Sequence, residues 1–242
     1  MKRNIYLKTI PPAEAVARVK ASIDREALIR EETIPSHEAS GRVLAHAVHA
    51  RYSSPTFHSA AMDGYAVNAR STFAAREGHP LTLKAGETCF AVNTGHPMPE
   101  GCDAVIMIEQ VVLDGGSVTI EAPAFPWQHV RRIGEDIVAT ELLFPRNHQL
   151  SPWDVGALLS GGIWDVPVWE RVTVRIIPTG DEVLDFTTHP DPGKGQVVES
   201  NSQMLAALAR ELGCVVERAA PVPDNPEALH QALKDSLDAG RH

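Results

Sequence analysis

The 242 residues are 43% hydrophobic, 22% charged and only 5% aromatic, with a net charge of −9. This is an ordinary globular composition, long enough for one large or two to three small domains. The acidity argues against a nucleic-acid surface or an anionic membrane surface, so an anionic ligand would need a metal, a local cation or backbone amides to approach.

No apolar run nears the roughly 18 residues that cross a bilayer. Met1-Lys2-Arg3-Asn4-Ile5 carries charges with no apolar stretch behind them, so no secretory signal is expected. Cys89, Cys102 and Cys214 are odd in number and form no Cys-x-x-Cys pair. That usage fits a reducing compartment, and a cytoplasmic location is the expectation. His46-x-x-His49 and Glu227-x-x-His230 stand alone, and isolated pairs of this kind read as structural or solvated.

In chain order, Pro11-Pro12 opens a helix to about Ser22. Val16, Val19 and Ile23 recur at helical spacing, with Lys20, Asp24 and Arg25 off that stripe. Residues 32–35 read as extended, and a second helix is expected near residues 36–40. Gly41-Arg42-Val43-Leu44-Ala45 closes it, with an arginine near the last carbonyls. From about Ser53 the texture changes to short strands at residues 81–83, 89–92 and 118–120. Punctuation such as Asp114-Gly115-Gly116 separates them, and the spacing suggests a small barrel or sandwich.

A helix over residues 153–159 stops at Gly161-Gly162. Residues 172–177 form a β-branched run of the kind found in buried parallel strands. Asn201-Ser202 can cap a helix over residues 203–212, which Gly213 ends. Residues 214–216 read as a second strand, and Pro226 opens another helix. Strand, helix, strand, helix predicts an open α/β sheet. Two strands are too few to stand alone, so this domain is expected to be incomplete.

Three loops set carboxylates beside glycine: Asp63-Gly64, Gly134-Glu135-Asp136 and Gly180-Asp181-Glu182. Such groups suit Mg²⁺, a hard cation that shares oxygen ligands with substrate phosphates. Each loop alone also reads as a solvated turn. Gly180-Asp181-Glu182 follows a β-branched strand, and ligands in open α/β sheets bind at the carboxyl ends of strands. Thr94-Gly95 adds a hydroxyl at a glycine turn in a proline-stiffened loop.

Ala60-Ala61-Met62-Asp63-Gly64-Tyr65-Ala66 closely resembles the Ser-Ala-Met-Asp-Gly-Tyr-Ala signature of the molybdopterin molybdenumtransferase family (MoeA and the gephyrin E domain), with Ala60 in place of serine. Four further stretches are similar to family motifs, in the family's order. They are the run from Thr94-Gly95 to Asp103-Ala104-Val105, Gly134-Glu135-Asp136-Ile137, Thr179-Gly180-Asp181-Glu182 and Glu199-Ser200-Asn201. Residues 139–143 lack a glycine common in the family, and the family's later Gly-Gly-x-Ser-x-Gly loop is not in this chain.

The resemblance implies a mixed α/β multidomain fold. Residues 1–50 and 137–170 would form an elongated, discontinuous α+β first domain, and residues 51–136 an inserted small β-barrel-like domain. Residues 171–242 would form an incomplete MogA-like open α/β domain that binds molybdopterin. It also implies molybdenum cofactor biosynthesis, in which molybdate enters adenylylated molybdopterin with release of AMP and with Mg²⁺ as cofactor.

By the same resemblance Asp63, Asp136 and Glu182 are the catalytic candidates. Thr94, Gly95, Asp63, Gly180 and Asn201 would bind the pterin, and Asp181 and Glu182 the metal. A homodimer is implied, with molybdopterin adenylyltransferase and molybdoenzymes as further partners. Because the family's site also draws on carboxylates and lysines outside these residues, the chain is expected to be inactive alone. The alternative is a non-catalytic module that binds molybdopterin or a partner protein.

Overall fold

The computed structural model describes residues 9–24 and 29–238; the amino-terminal Met1–Ile5 stretch and Arg25 lie outside them. Helix α1 (Pro12–Ser22) starts with proline in its first turn, as the paired prolines predict. None of its residues is buried, and Val16 and Val19 are 53% and 60% exposed. Strand β1 (Glu31–Pro35) pairs with β12 (Asp165–Trp169). The chain divides into two compact units, Ile34–Val166 and Met1–Thr33 with Pro167–His242.

In the Ile34–Val166 unit the helix expected at residues 36–40 is a single 3-10 turn, Ser36–Glu38. Five residues are too few to nucleate a helix on their own, and tertiary bonds hold this stretch instead. The Ser36 N–H donates to the Trp164 carbonyl at 2.8 Å and the Gly41 N–H to that of Leu150 at 2.7 Å. Strand β2 (Val48–His49) pairs antiparallel with β11 (Leu142–Phe144). Helix α2 (Pro152–Ser160) forms where its apolar run predicts, and a reciprocal Ser151–Asp154 capping box fixes its start. Its Leu158 is fully buried, as are Leu44 and Leu150 in the same unit.

The β-rich part of this unit holds two three-stranded antiparallel sheets. In one, β4 (Gly64–Val67) runs between β6 (Cys89–Val92) and β7 (Ala104–Met107). In the other, β9 (Ser117–Ile120) runs between β5 (Leu81–Lys84) and β8 (Val111–Asp114). A two-residue turn joins β8 to β9, with Gly115 and Gly116 at φ 52° and 88°, the double left-handed geometry that this hairpin needs. Strand β3 (Ser59–Ala60) pairs with β10 (Val130–Arg131).

Val67, Leu83, Cys89, Ile106, Val118 and Ile120 from both sheets share one core. The sheets do not join into a ring, so the barrel-like closure expected from strand spacing is corrected to open sheets. Among the described residues, no ladder joins β6-β4-β7 to β5-β9-β8, and closure needs a continuous hydrogen-bonded register around all strands.

In the other unit β13 (Thr173–Ile176) pairs in parallel with β16 (Val215–Arg218), and β14 (Val183–Leu184) with β15 (Val197–Val198). Helix α3 (Asn201–Glu211) packs on β13 and β16, and α4 (Pro226–Asp238) follows. With a single neighbouring strand, β13 is only half-buried and Arg175 is exposed, not enclosed as its β-branched run suggested. An apolar groove of about 450 Å³ lies between β13 and α3, lined by Val174, Ile176, Leu205 and Leu208 among others. The chain is thus a mixed α/β protein of open sheets and short helices.

Candidate functional site

Asp63 stands at the entry to β4, and its backbone is fixed by an Ile108 N–H that donates to its carbonyl at 3.0 Å. The following Gly64 has φ near 159°, close to extended. Glycine is therefore required less for the left-handed turn suggested by the Asp-Gly step than for close approach. A Cβ at this position would sit 2.0 Å from the Ile106 carbonyl oxygen of β7.

The structure brings Asp63 and Thr94 together. Asp63 Oδ1 accepts the Thr94 N–H at 2.7 Å and its hydroxyl at 3.0 Å. The backbone bond first, and the hydroxyl second, hold the Asp63 carboxyl below the ordinary carboxylate value, against slight desolvation and with help from His96. The Thr94 loop is laced to β3, since the Gly95 N–H donates to the Ala60 carbonyl at 2.8 Å and the Ala60 N–H to that of His96 at 2.9 Å. Gly95 takes φ 86°, the left-handed geometry that lets the loop turn back.

Asp136 meets a cation of its own loop. Arg131 Nη2 donates to both of its carboxylate oxygens, at 2.9 and 2.7 Å, and Arg131 Nε lies 3.6 Å from Glu135 Oε1. Glu135 Oε2 also accepts the Arg132 N–H at 3.0 Å. All of these side chains are exposed, so the pairing orders the loop more than it stabilises the fold.

In the other unit the Gly180-Asp181-Glu182 loop follows the carboxyl end of β13. The Gly180 N–H donates to the Val222 carbonyl at 3.0 Å, and Asp181 Oδ1 accepts the Asp224 N–H at 3.0 Å. Asp224 carried no signal in the sequence. Glu182 folds back over Gly180, where an added Cβ would stand 3.0 Å from Oε2. Beside this loop is a cavity of about 400 Å³, lined by Thr179, Val183, Val197, Glu199, Ser200 and Asn201 among others. That position, at strand carboxyl ends and against a helix start, is where open α/β sheets take ligands.

Asn201 was expected to help cap α3 but is its first helical residue, and Ser200 at the cap makes no side-chain bond. The helix also begins two residues before the expected Gln203. Glu199 does the capping: Oε1 accepts the Ser202 N–H at 2.7 Å and Oε2 accepts the Ser202 hydroxyl. Burial acts first and would raise the Glu199 pKa, but the bonds from Ser202 and then from Arg218 outweigh it, so the group stays low. An acidic residue three before a helical serine is a signal that could have revealed this cap. Nothing local in the sequence pointed to Arg218.

Among the described residues, no group of three or more His, Cys, Asp or Glu side chains converges as a metal cage. Asp181 and Glu182 still offer two adjacent hard-oxygen donors at the strand end. That fits Mg²⁺, which is commonly held by one or two carboxylates together with substrate phosphates. No described helix is long and apolar enough to cross a membrane.

Residues 10–162 match the MoeA N-terminal region (domain I and II), and residues 175–241 match a family described as "Probable molybdopterin binding domain". Molybdopterin molybdenumtransferase 2 of Mycobacterium tuberculosis is 36% identical over 213 residues, covering 81% of this chain and 52% of the relative. Molybdopterin molybdenumtransferase of Haemophilus influenzae is 32% identical over 222 residues, covering 84% and 52%. The chain therefore spans about half the length of these curated relatives.

Among solved structures, a molybdopterin biosynthesis MoeA protein from Pyrococcus horikoshii superposes with a TM-score of 0.75 at 31% identity, covering 87% of this chain and 59% of that one. A second structure of MoeA from that organism gives 0.77 at 27% identity, covering 96% and 62%. With both family segments matched in order and the fold shared, this chain belongs to the MoeA family.

Proposed function

We propose that this chain supplies the molybdopterin-binding part of the step in molybdenum cofactor biosynthesis that inserts molybdate into adenylylated molybdopterin with release of AMP. The observation that carries this reading is the cavity of about 400 Å³ between Thr179 and Asn201, inside the segment that matches a molybdopterin-binding family. Its wall combines apolar Val183 and Val197 with the neutral polar groups of Thr179, Ser200 and Asn201 and with Glu199. That mixture accepts a planar heterocycle and orients it by hydrogen bonds.

Asp63, kept ionised by Thr94, acts as a fixed acceptor for N–H or O–H groups of the substrate. Asp136 helps to order the neighbouring loop. Asp181 and Glu182 are the residues that would hold Mg²⁺, which would supply neutralisation of the adenylyl phosphate charge. Turnover by the 242 residues alone is not part of the proposal. Arg131 is tied to Asp136, and Arg218 to Glu199 and Asp185. The proposal includes a homodimer, since the apolar stripe of α1 is exposed over its length.

The test is a titration of the chain with molybdopterin, followed by pterin fluorescence. Saturable binding is expected, with Thr179→Val and Asn201→Ala each weaker by about 1 kcal/mol, the usual worth of one hydrogen bond. No saturable binding by the unaltered chain would overturn the reading.

A further inference from the structure

Two walls of the cavity come from segments far apart in sequence. One is Val183, in β14; the other is Ser200–Asn201, at the start of α3. A single side chain reaches behind both. Arg218, projecting from β16, donates from Nε to the Ser202 hydroxyl at 2.8 Å and from Nη2 to Glu199 Oε2 at 3.4 Å. The same guanidinium donates to Asp185, from Nη1 to Oδ2 at 3.4 Å and from Nη2 to Oδ1 at 3.3 Å.

Asp185 directly follows β14, so these bonds tie residues 183–185 to residues 199–202. The Phe186 ring lies 4.6 Å from the guanidinium carbon and covers its face.

Burial makes this arrangement consequential. Glu199 is only 7% exposed and Ser202 2%, so the Glu199 carboxylate cannot turn to water for a countercharge. Arg218 supplies the countercharge beside it, adding to the Ser202 bonds that favour the ionised form. The bond from the Ser202 N–H in turn caps the first turn of α3, where Asn201 lines the cavity. The Arg218 side chain is itself 17% exposed and lies one layer behind the cavity wall.

We infer that Arg218 is a positioning residue for molybdopterin: it spans Asp185 and Glu199 to fix the distance between the two cavity walls, without touching the ligand. This rests on the reading that the cavity takes molybdopterin. A lysine cannot do the same work. Its ammonium is a point charge, whereas the planar fork reaches Ser202, Glu199 and Asp185 together.

The experiment compares the full chain with Arg218→Lys and Arg218→Met. It uses thermal melting, backbone hydrogen exchange at Ser202 and titration with molybdopterin. In Arg218→Lys the fold is retained, the Ser202 amide exchanges faster and molybdopterin affinity falls on the order of tenfold, because the walls no longer hold their spacing. In Arg218→Met the loss is larger; if that variant fails to fold, Arg218→Lys alone decides.

Faster exchange at Ser202 with unchanged affinity would make Arg218 structural only and overturn the inference. Unchanged exchange would overturn it as well, since the latch would then not hold α3. If the unaltered chain does not bind molybdopterin, the proposed function fails and the positioning role falls with it. The exchange data would still report whether Arg218 holds the helix start.

Discussion

Replacing Gly64 with alanine tests the link between β4 and Asp63. The new Cβ would stand 2.0 Å from the Ile106 oxygen and 2.9 Å from the Ile106 carbonyl carbon, whereas ordinary contact begins at 3.4 Å. Both obstacles are backbone, so no side chain can swing away. Strand β4 is central, paired with β7 on one side and β6 on the other, so it cannot retreat from β7 without pressing on β6.

Opening the strands by the missing 1.4 Å breaks the bonding around the Gly64–Met107 pair and the Ile108-to-Asp63 bond of 3.0 Å. Two or three lost bonds at about 1 kcal/mol each, with residual strain of about 1 kcal/mol, put the cost at about 3 kcal/mol. Urea denaturation followed by tryptophan fluorescence measures it. With a slope of about 1–3 kcal/mol per molar, the midpoint should fall by at least about 1 M. A cost below about 1 kcal/mol would refute the reasoning, because it would mean that β4 and β7 yield freely and that Gly64 is there for turn geometry.

Asp63→Asn should leave the denaturation midpoint nearly unchanged, since the position is exposed and asparagine suits the same loop, while binding of adenylylated molybdopterin weakens. Normal binding with a lowered midpoint would make Asp63 a turn residue. For Asp154, burial would raise the pKa, but bonds from Ser151 and His148 outweigh it and hold the carboxyl below its ordinary 3.8. Its stabilising contribution is therefore complete above pH 3.8 and is lost as the pH falls through the lower folded value. Acid denaturation of Asp154→Asn should show a shallower loss in that window than the unaltered chain, and equal slopes would contradict it. Light scattering at micromolar concentration should give the mass of a dimer, and Val16→Glu with Val19→Glu should give a monomer; a monomer without the substitutions would remove the case for α1 as an interface.

Where order depends on neighbours a few residues away, the sequence was sufficient. The α1 start at Pro12, the α2 stop at Gly161-Gly162, the break at Gly115-Gly116 and the strands near residues 81–83, 89–92 and 118–120 follow from proline, glycine and apolar spacing. Each of these signals acts within one turn of chain. The ordered motifs also lead to the MoeA family, and they nominate Asp63, Thr94, Gly95, Asp136, Gly180, Asp181, Glu182 and Asn201 as site candidates.

Tertiary structure decided the rest, because the deciding partner lies far off in sequence. Thr94 reaches Asp63 across 31 residues, and Gly64 is required by a carbonyl on another strand. Two three-stranded sheets stay open because closure depends on how all their strands stagger together. Helix α3 starts at Asn201, ahead of the expected Gln203, and Glu199, not Asn201, accepts the amide of its second residue, Ser202. Arg218, 19 residues away, adds its charge to the Ser202 bonds that keep the buried Glu199 carboxyl low, and no periodicity in the sequence could have paired them.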